Sequence, residues 1–76
     1  MAKITEIDGI EICMNGNDHN PPHVHFFHPD FAVTILIQSG EVHRGEVRPL
    51  RRIKNALKWV LDNQEMLLEM WKNREG

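Results

Sequence analysis

Four of the chain's five histidines fall between positions 19 and 28, in the run Asp18-His19-Asn20-Pro21-Pro22-His23-Val24-His25-Phe26-Phe27-His28. Imidazole changes charge closest to neutral pH and is a common ligand for transition metals. In an extended strand, residues i and i+2 project to the same side. His23 and His25 therefore stand side by side, while Val24 and Phe26 turn to the opposite side, where apolar groups seek a core. Pro21-Pro22 keeps the approach extended and limits how far Asp18 and His19 can stray. A carboxylate and three imidazoles are thus expected to converge at the start of one strand.

Three chemistries fit that arrangement. In the first, His23 and His25 hold a divalent transition metal such as zinc, with Asp18, His19 or His43 completing the set. In the second, Asp18, His19, His23 and His25 form a metal-free acid–base site. His23 and His25 would then give and take protons at a phosphodiester, and Arg44 or Arg48 would hold the phosphate. The third is structural: Asp18 and His19 shape a turn through side-chain-to-backbone bonds, and the strand histidines form cross-strand pairs. His28, next to Pro29, belongs to a loop in all three. Cys13 is either a nucleophile paired with a histidine or, as is more common, a small half-buried side chain.

The elements that must position these residues follow from periodicity. Lys3 to Ile7 and Ile10 to Met14 alternate about Asp8-Gly9, a hairpin signal because a type I′ turn needs positive φ. Asn15 to Asp18 is loop chemistry. Strands follow at His23–Phe27, Phe31–Ile37 and Val42–Gly45, with breaks at Pro29-Asp30 and Ser39-Gly40. Ile53, Leu57, Val60, Leu61, Gln64, Leu67, Leu68 and Trp71 form one helical stripe. That stripe predicts a single long helix from about Leu50 to Asn73, with Pro49 at its start and Asn63, a weak helix former, as the place for a break. Trp59 and Met70 lie at the stripe's edges. The expectation is an α+β domain over 1–76: a strand-rich half over 1–47, its histidine-rich segment at 18–28, and a helical half over 48–74. An antiparallel sheet of four or five strands would pack one face against the helix and leave the other more polar.

Composition narrows the classes. The chain has 76 residues, 41% of them hydrophobic, which suits one small globule. So thin a core invites a staple: metal, disulfide or partner. Cys13 is the sole cysteine, which removes an internal disulfide and suits a reducing, cytoplasmic setting. There is no apolar run of membrane-spanning length, and the first residues do not read as a secretory leader. Phosphate-loop, dinucleotide-binding, C-x-x-C and helix–turn–helix signatures are also missing. The net charge of −2 argues against a generic polyanion binder, yet it is unevenly spread. Lys3 is the only base before Arg44, whereas Arg44, Arg48, Arg51, Arg52, Lys54 and Lys58 face only Glu46. That stretch is either a solvated helix face or a stripe for nucleic acid or an acidic partner, with Arg48, Arg51 and Arg52 as candidate phosphate contacts.

The run Asp18-His19-Asn20-Pro21-Pro22-His23-Val24-His25 resembles the D-H-x-P-P-H-V-H signature of an uncharacterised bacterial family, domain-of-unknown-function family 4160. Gly9-Ile10-Glu11-Ile12, Gly45 with Arg48-Pro49, Trp59 and Leu67-Leu68…Trp71 extend the similarity over nearly the whole chain, although the family more often has Leu-Pro where this chain has Arg48-Pro49. The resemblance implies a small protein often encoded beside a second one, of domain-of-unknown-function family 2442, in a pair that looks like a toxin–antitoxin module. This chain would be the toxin side, with Asp18, His19, His23 and His25 as the motif residues carried over; the histidine cluster near the basic stretch then makes RNA or another nucleic acid its expected target, with Arg48, Arg51 and Arg52 positioning the phosphates. The alternatives are a non-catalytic module that docks a partner through Trp59, Met70 and Trp71, and a metal-stapled domain.

Overall fold

The structure, a computed structural model, describes residues 2–74. Five strands form one antiparallel meander in the order β1-β2-β3-β4-β5: β1 Ala2–Ile7, β2 Ile10–Met14, β3 His23–His28, β4 Phe31–Leu36 and β5 Val42–Arg44. At the first turn both Asp8 and Gly9 take positive φ (54° and 77°), as the hairpin signal requires. Ile10, Ile12, Val24, Phe26, Val33 and Ile35 lie on one face and are essentially fully buried. Each such side chain contributes roughly 1.5–3 kcal/mol relative to exposure. A one-residue slip of β3 would send Val24 and Phe26 into water and two imidazoles into the core, so burial fixes the register. The same register aligns the histidines on the far face.

The helical half departs from the expected single helix. A 3-10 turn, Leu50–Ile53, runs into α1, Lys54–Asp62, and a separate α2 spans Gln64–Asn73. The break falls at Asn63, whose φ and ψ (−124°, 26°) leave the helical region. Its side-chain amide donates to the Trp59 carbonyl at 2.8 Å and its backbone N–H to the Val60 carbonyl, which satisfies the end of α1 locally. The Gln64 side chain then donates to the Ile37 and Gln38 carbonyls at 2.9 and 3.0 Å. That tether pins the start of α2 to the end of β4. Hydrophobic periodicity sees a continuous stripe and cannot see this pin. Ile53, Val60, Leu67 and Trp71 fill the core as the stripe predicts, but Leu61, expected inside, is 45% exposed.

β5 reaches the sheet through a bulge between Thr34 and Ile35 of its partner. Gly45, with φ +83°, closes it. A Cβ at this position would collide with the Ala32 carbonyl oxygen, so only glycine lets the chain lie so close to β4.

Candidate metal centre on the polar sheet face

The sheet face opposite the core carries the candidate chemistry. Cross-strand partners put Lys3, Cys13, His25, Thr34 and Arg44 in one row across all five strands. Directly opposed residues share a face, so this row runs through the middle of the polar side. His23 lies two residues before His25, and their rings meet edge to face with centroids 5.2 Å apart.

The loop before β3 brings Asp18 back over both rings. Its Oδ2 atom lies 3.0 Å from His23 Nε2 and 2.6 Å from His25 Nε2. The side chains are 21%, 11% and 17% exposed respectively, so water competes weakly for these contacts. Burial alone would raise the Asp18 carboxyl. The His25 hydrogen bond and the charges of His25 and His23 outweigh it and hold Asp18 below the usual carboxylate range. One ligand atom from each of Asp18, His23 and His25 falls within 4.8 Å of the others.

His23 has a second contact that constrains its chemistry. Its Nδ1 lies 2.8 Å from the Pro21 carbonyl oxygen. A carbonyl can only accept, so Nδ1 carries a proton there. A neutral imidazole has one N–H, which leaves His23 Nε2 with its lone pair aimed at a carboxylate oxygen. Two lone pairs 3.0 Å apart need a positive charge between them: a second proton on the ring, or a metal cation. A backbone carbonyl fixing the tautomer through the far nitrogen is also how metal-ligating histidines are commonly oriented.

The end of α2 clamps this loop. Trp71 packs on His23 with centroids 5.1 Å apart, and its Nε1–H donates to Asn20 Oδ1 at 3.0 Å. Arg74 lies over the Trp71 ring and donates to the Trp71 and Asp18 carbonyl oxygens. The guanidinium thus holds the backbone of Asp18 while the carboxylate stays with the imidazoles.

Other expected residues are placed elsewhere. His19 is exposed and outside the converging group of three. His43 is exposed, but its ring centroid is 6.1 Å from that of His23. Cys13 is 5% exposed, and burial pushes its thiol up. A buried, protonated thiol is a poor nucleophile. Arg48 pairs with Glu46, and Arg52 with Asp30 at 2.8 Å. Arg51 sits on the rim of a groove over the 3-10 turn and α1. Asp30 lies just past the far end of β3, roughly 16 Å along the strand from His23 at about 3.3 Å per residue. Arg52 is thus held at the hairpin end of β3, and none of Arg48, Arg51 and Arg52 is among the residues lining the small pocket beside His25. The arginine in register with His25 is Arg44.

Sequence reasoning passed over Thr34, Asn20 and Arg74. Thr34 did carry a signal, being the one polar side chain within the apolar strand Phe31–Leu36. The Asn20–Trp71 contact spans 51 residues and has no local signature.

Fold and cluster together define a small α+β domain with two histidines and one carboxylate gathered on a sheet face. The family model described as Domain of unknown function (DUF4160) matches residues 9–72, and the chain belongs to that family. No curated protein and no solved structure matches the chain.

Proposed function

We propose that Asp18, His23 and His25 bind one divalent transition metal of the zinc type, and that the chain acts through it. The observation that carries this reading is His23, whose two ring nitrogens each face an oxygen acceptor although a neutral ring can donate only once. Nitrogen and carboxylate donors suit zinc and its neighbours in the first transition row. Two histidines and one carboxylate leave coordination positions open, which is the pattern of catalytic rather than purely structural zinc. A metal so held supplies a Lewis acid and a water that ionises near neutral pH. His43, whose ring centroid is 6.1 Å from that of His23, would be the fourth donor.

The test is elemental analysis of protein purified without chelator, with thermal melting before and after EDTA. About one metal ion per chain, together with a melting temperature that drops on chelation, is the expected result. Protein that retains no metal after zinc loading and dialysis, and melts identically in EDTA, would leave a proton as the cation at His23 and sink the reading.

A second reading, a toxin-like component acting on RNA, uses the same cluster. It is favoured by Arg44, a cation in register with His25 that has no carboxylate partner among the described residues. Growth arrest on expression, relieved by His23→Ala at equal soluble protein, supports it. Unimpeded growth with both chains argues against it and leaves the metal reading intact. A small antitoxin-like partner, of the domain-of-unknown-function family 2442 type, belongs to this second reading.

A further inference from the structure

Beside the cluster, on the same face, lies a small pocket of about 100 Å³ whose polar lining is His25, Thr34 and Arg44, with Phe27, Ala32, Val33 and Gly45 completing it. Thr34 Oγ1 is buried and has no hydrogen-bond partner among the described residues. A buried hydroxyl left unsatisfied costs on the order of 1–3 kcal/mol, so such an atom calls for an explanation. Arg44, in register with Thr34, adds a guanidinium with no carboxylate partner among the described residues. His25 forms a wall shared with the Asp18 cluster. Gly45 contributes no side chain, and the clash a Cβ would make there keeps the β4–β5 edge open only to glycine.

We infer that this pocket is an oxyanion subsite that takes one phosphoryl group of the molecule handled at the cluster. Its size decides how much it can hold. Sites for whole small molecules run to roughly 300–1,000 Å³, so this one admits a single group and leaves the rest of the molecule outside. Thr34 on β4 and Arg44 on β5 line the pocket from different strands. That spread suits a tetrahedral oxyanion better than a flat carboxylate, which one guanidinium fork satisfies in its own plane. The role of the group as substrate rests on the metal reading above; the pocket as an anion site does not.

The experiment is an amide-shift NMR titration of the protein with inorganic phosphate, run once in EDTA and once after zinc loading. Acetate serves as the planar control, and methyl phosphate and dimethyl phosphate separate monoester from diester. Saturable shifts at Thr34, Arg44 and Gly45 are expected with phosphate and weaker ones with acetate. Arg44→Gln should weaken phosphate binding about tenfold, as loss of a charge-assisted contact does. Arg44 is exposed, so this variant tests binding without threatening the fold. Thr34→Val should weaken binding several-fold while raising the melting temperature, because it removes the unpaired hydroxyl. A purely structural threonine would not couple those two changes in opposite directions.

Phosphate shifts confined to the 48–58 stretch, or unchanged by Arg44→Gln, overturn the inference. Zinc binding without phosphate shifts at the pocket overturns it while leaving the metal reading standing. Pocket shifts in a protein that takes up no zinc do the reverse.

Discussion

Strand β3 carries a histidine–aspartate pairing at each end, and the two ends behave differently. At the far end His28 stacks on Phe31 with rings 4.8 Å apart and nearly parallel, and its Nδ1 accepts the backbone N–H of Asp30 at 3.0 Å. The Asp30 carboxylate is answered by Arg52, which also lies over Phe31. Every charge there has a local partner, and the ensemble reads as a closed hairpin. At the near end one carboxylate serves two imidazoles, and Arg74, which reaches the Asp18 backbone, donates to the Trp71 and Asp18 carbonyls instead. The same residue types give a capped turn where a guanidinium completes the charge balance. They give a candidate metal centre where none does.

The sharpest test of that contrast substitutes the two carboxylates in turn. Asp18→Asn should weaken zinc binding by at least about 100-fold, since even the groups that merely orient a metal's ligands are worth 10–100-fold. Asp30→Asn should leave the affinity within about twofold of the parent. A competition titration against a chromophoric chelator reads both. Equal losses in the two variants would erase the distinction between the two ends.

Stability should separate the histidines next. In EDTA, His23→Ala removes a ring that is 9% exposed and packed on Trp71, and strands the Pro21 carbonyl. A cost of about 1–3 kcal/mol in urea unfolding follows. His28→Ala, at a half-buried hairpin position, should cost less than His23→Ala. A larger loss at His28 would mean that the hairpin, not the cluster, anchors the strand.

Why the cluster could be read from sequence while much else could not comes down to distance along the chain. The H-x-H alternation, the double proline and the preceding aspartate lie within eight positions, and strand period alone predicts that His23 and His25 share a face. The hairpin at Asp8-Gly9 and the five strands were similarly local. The division of the helix at Asn63 was not, because it is enforced by a Gln64 side chain reaching the end of β4. Nor was the choice among Asp18, His19 and His43, which depends on how the loop folds back and how the bulge turns β5. The placement of the basic stretch was not legible for the same reason. Its charges are neighbours in sequence, but the fold sends Arg52 to the hairpin and Arg48 to Glu46, and leaves Arg44 with the histidines.

The helix clamp offers a subtler handle on the near end. Trp71→Phe keeps the packing surface and deletes the donor to Asn20, so it should cost about 0.5–1.5 kcal/mol. Asn20→Ala should cost a similar amount, and the double variant less than the sum, because both remove one bond. Zinc affinity should fall with stability, since the clamp positions the loop that carries Asp18. Additive losses with unchanged zinc affinity would show that the helix end and the cluster are energetically separate.

Acid titration should give the smallest effects and still tell the two ends apart. Both carboxyls are held below the usual range: Asp30 by the hydrogen bond from Arg52, which outweighs the opposing effect of burial, and Asp18 by its imidazole partners against burial. A depressed folded value means that the stability contribution is fully present above the unfolded value, about 3.9 for aspartate. It is lost as pH falls through the folded value. Melting temperature in EDTA should therefore decline on acidification below about pH 4, and each Asp→Asn change should flatten part of that decline. Salt then discriminates between them. The Asp30–Arg52 pair is solvent-facing, and at about 1 M salt, where screening acts over roughly 3 Å, the Asp30→Asn difference should nearly vanish. The Asp18 contacts at 2.6 and 3.0 Å are sheltered by the loop and the end of α2, so the Asp18→Asn difference should persist. If salt erased both differences alike, the carboxylate at the near end would be as solvated as the one at the hairpin, and its claim to hold a metal would lose its physical basis.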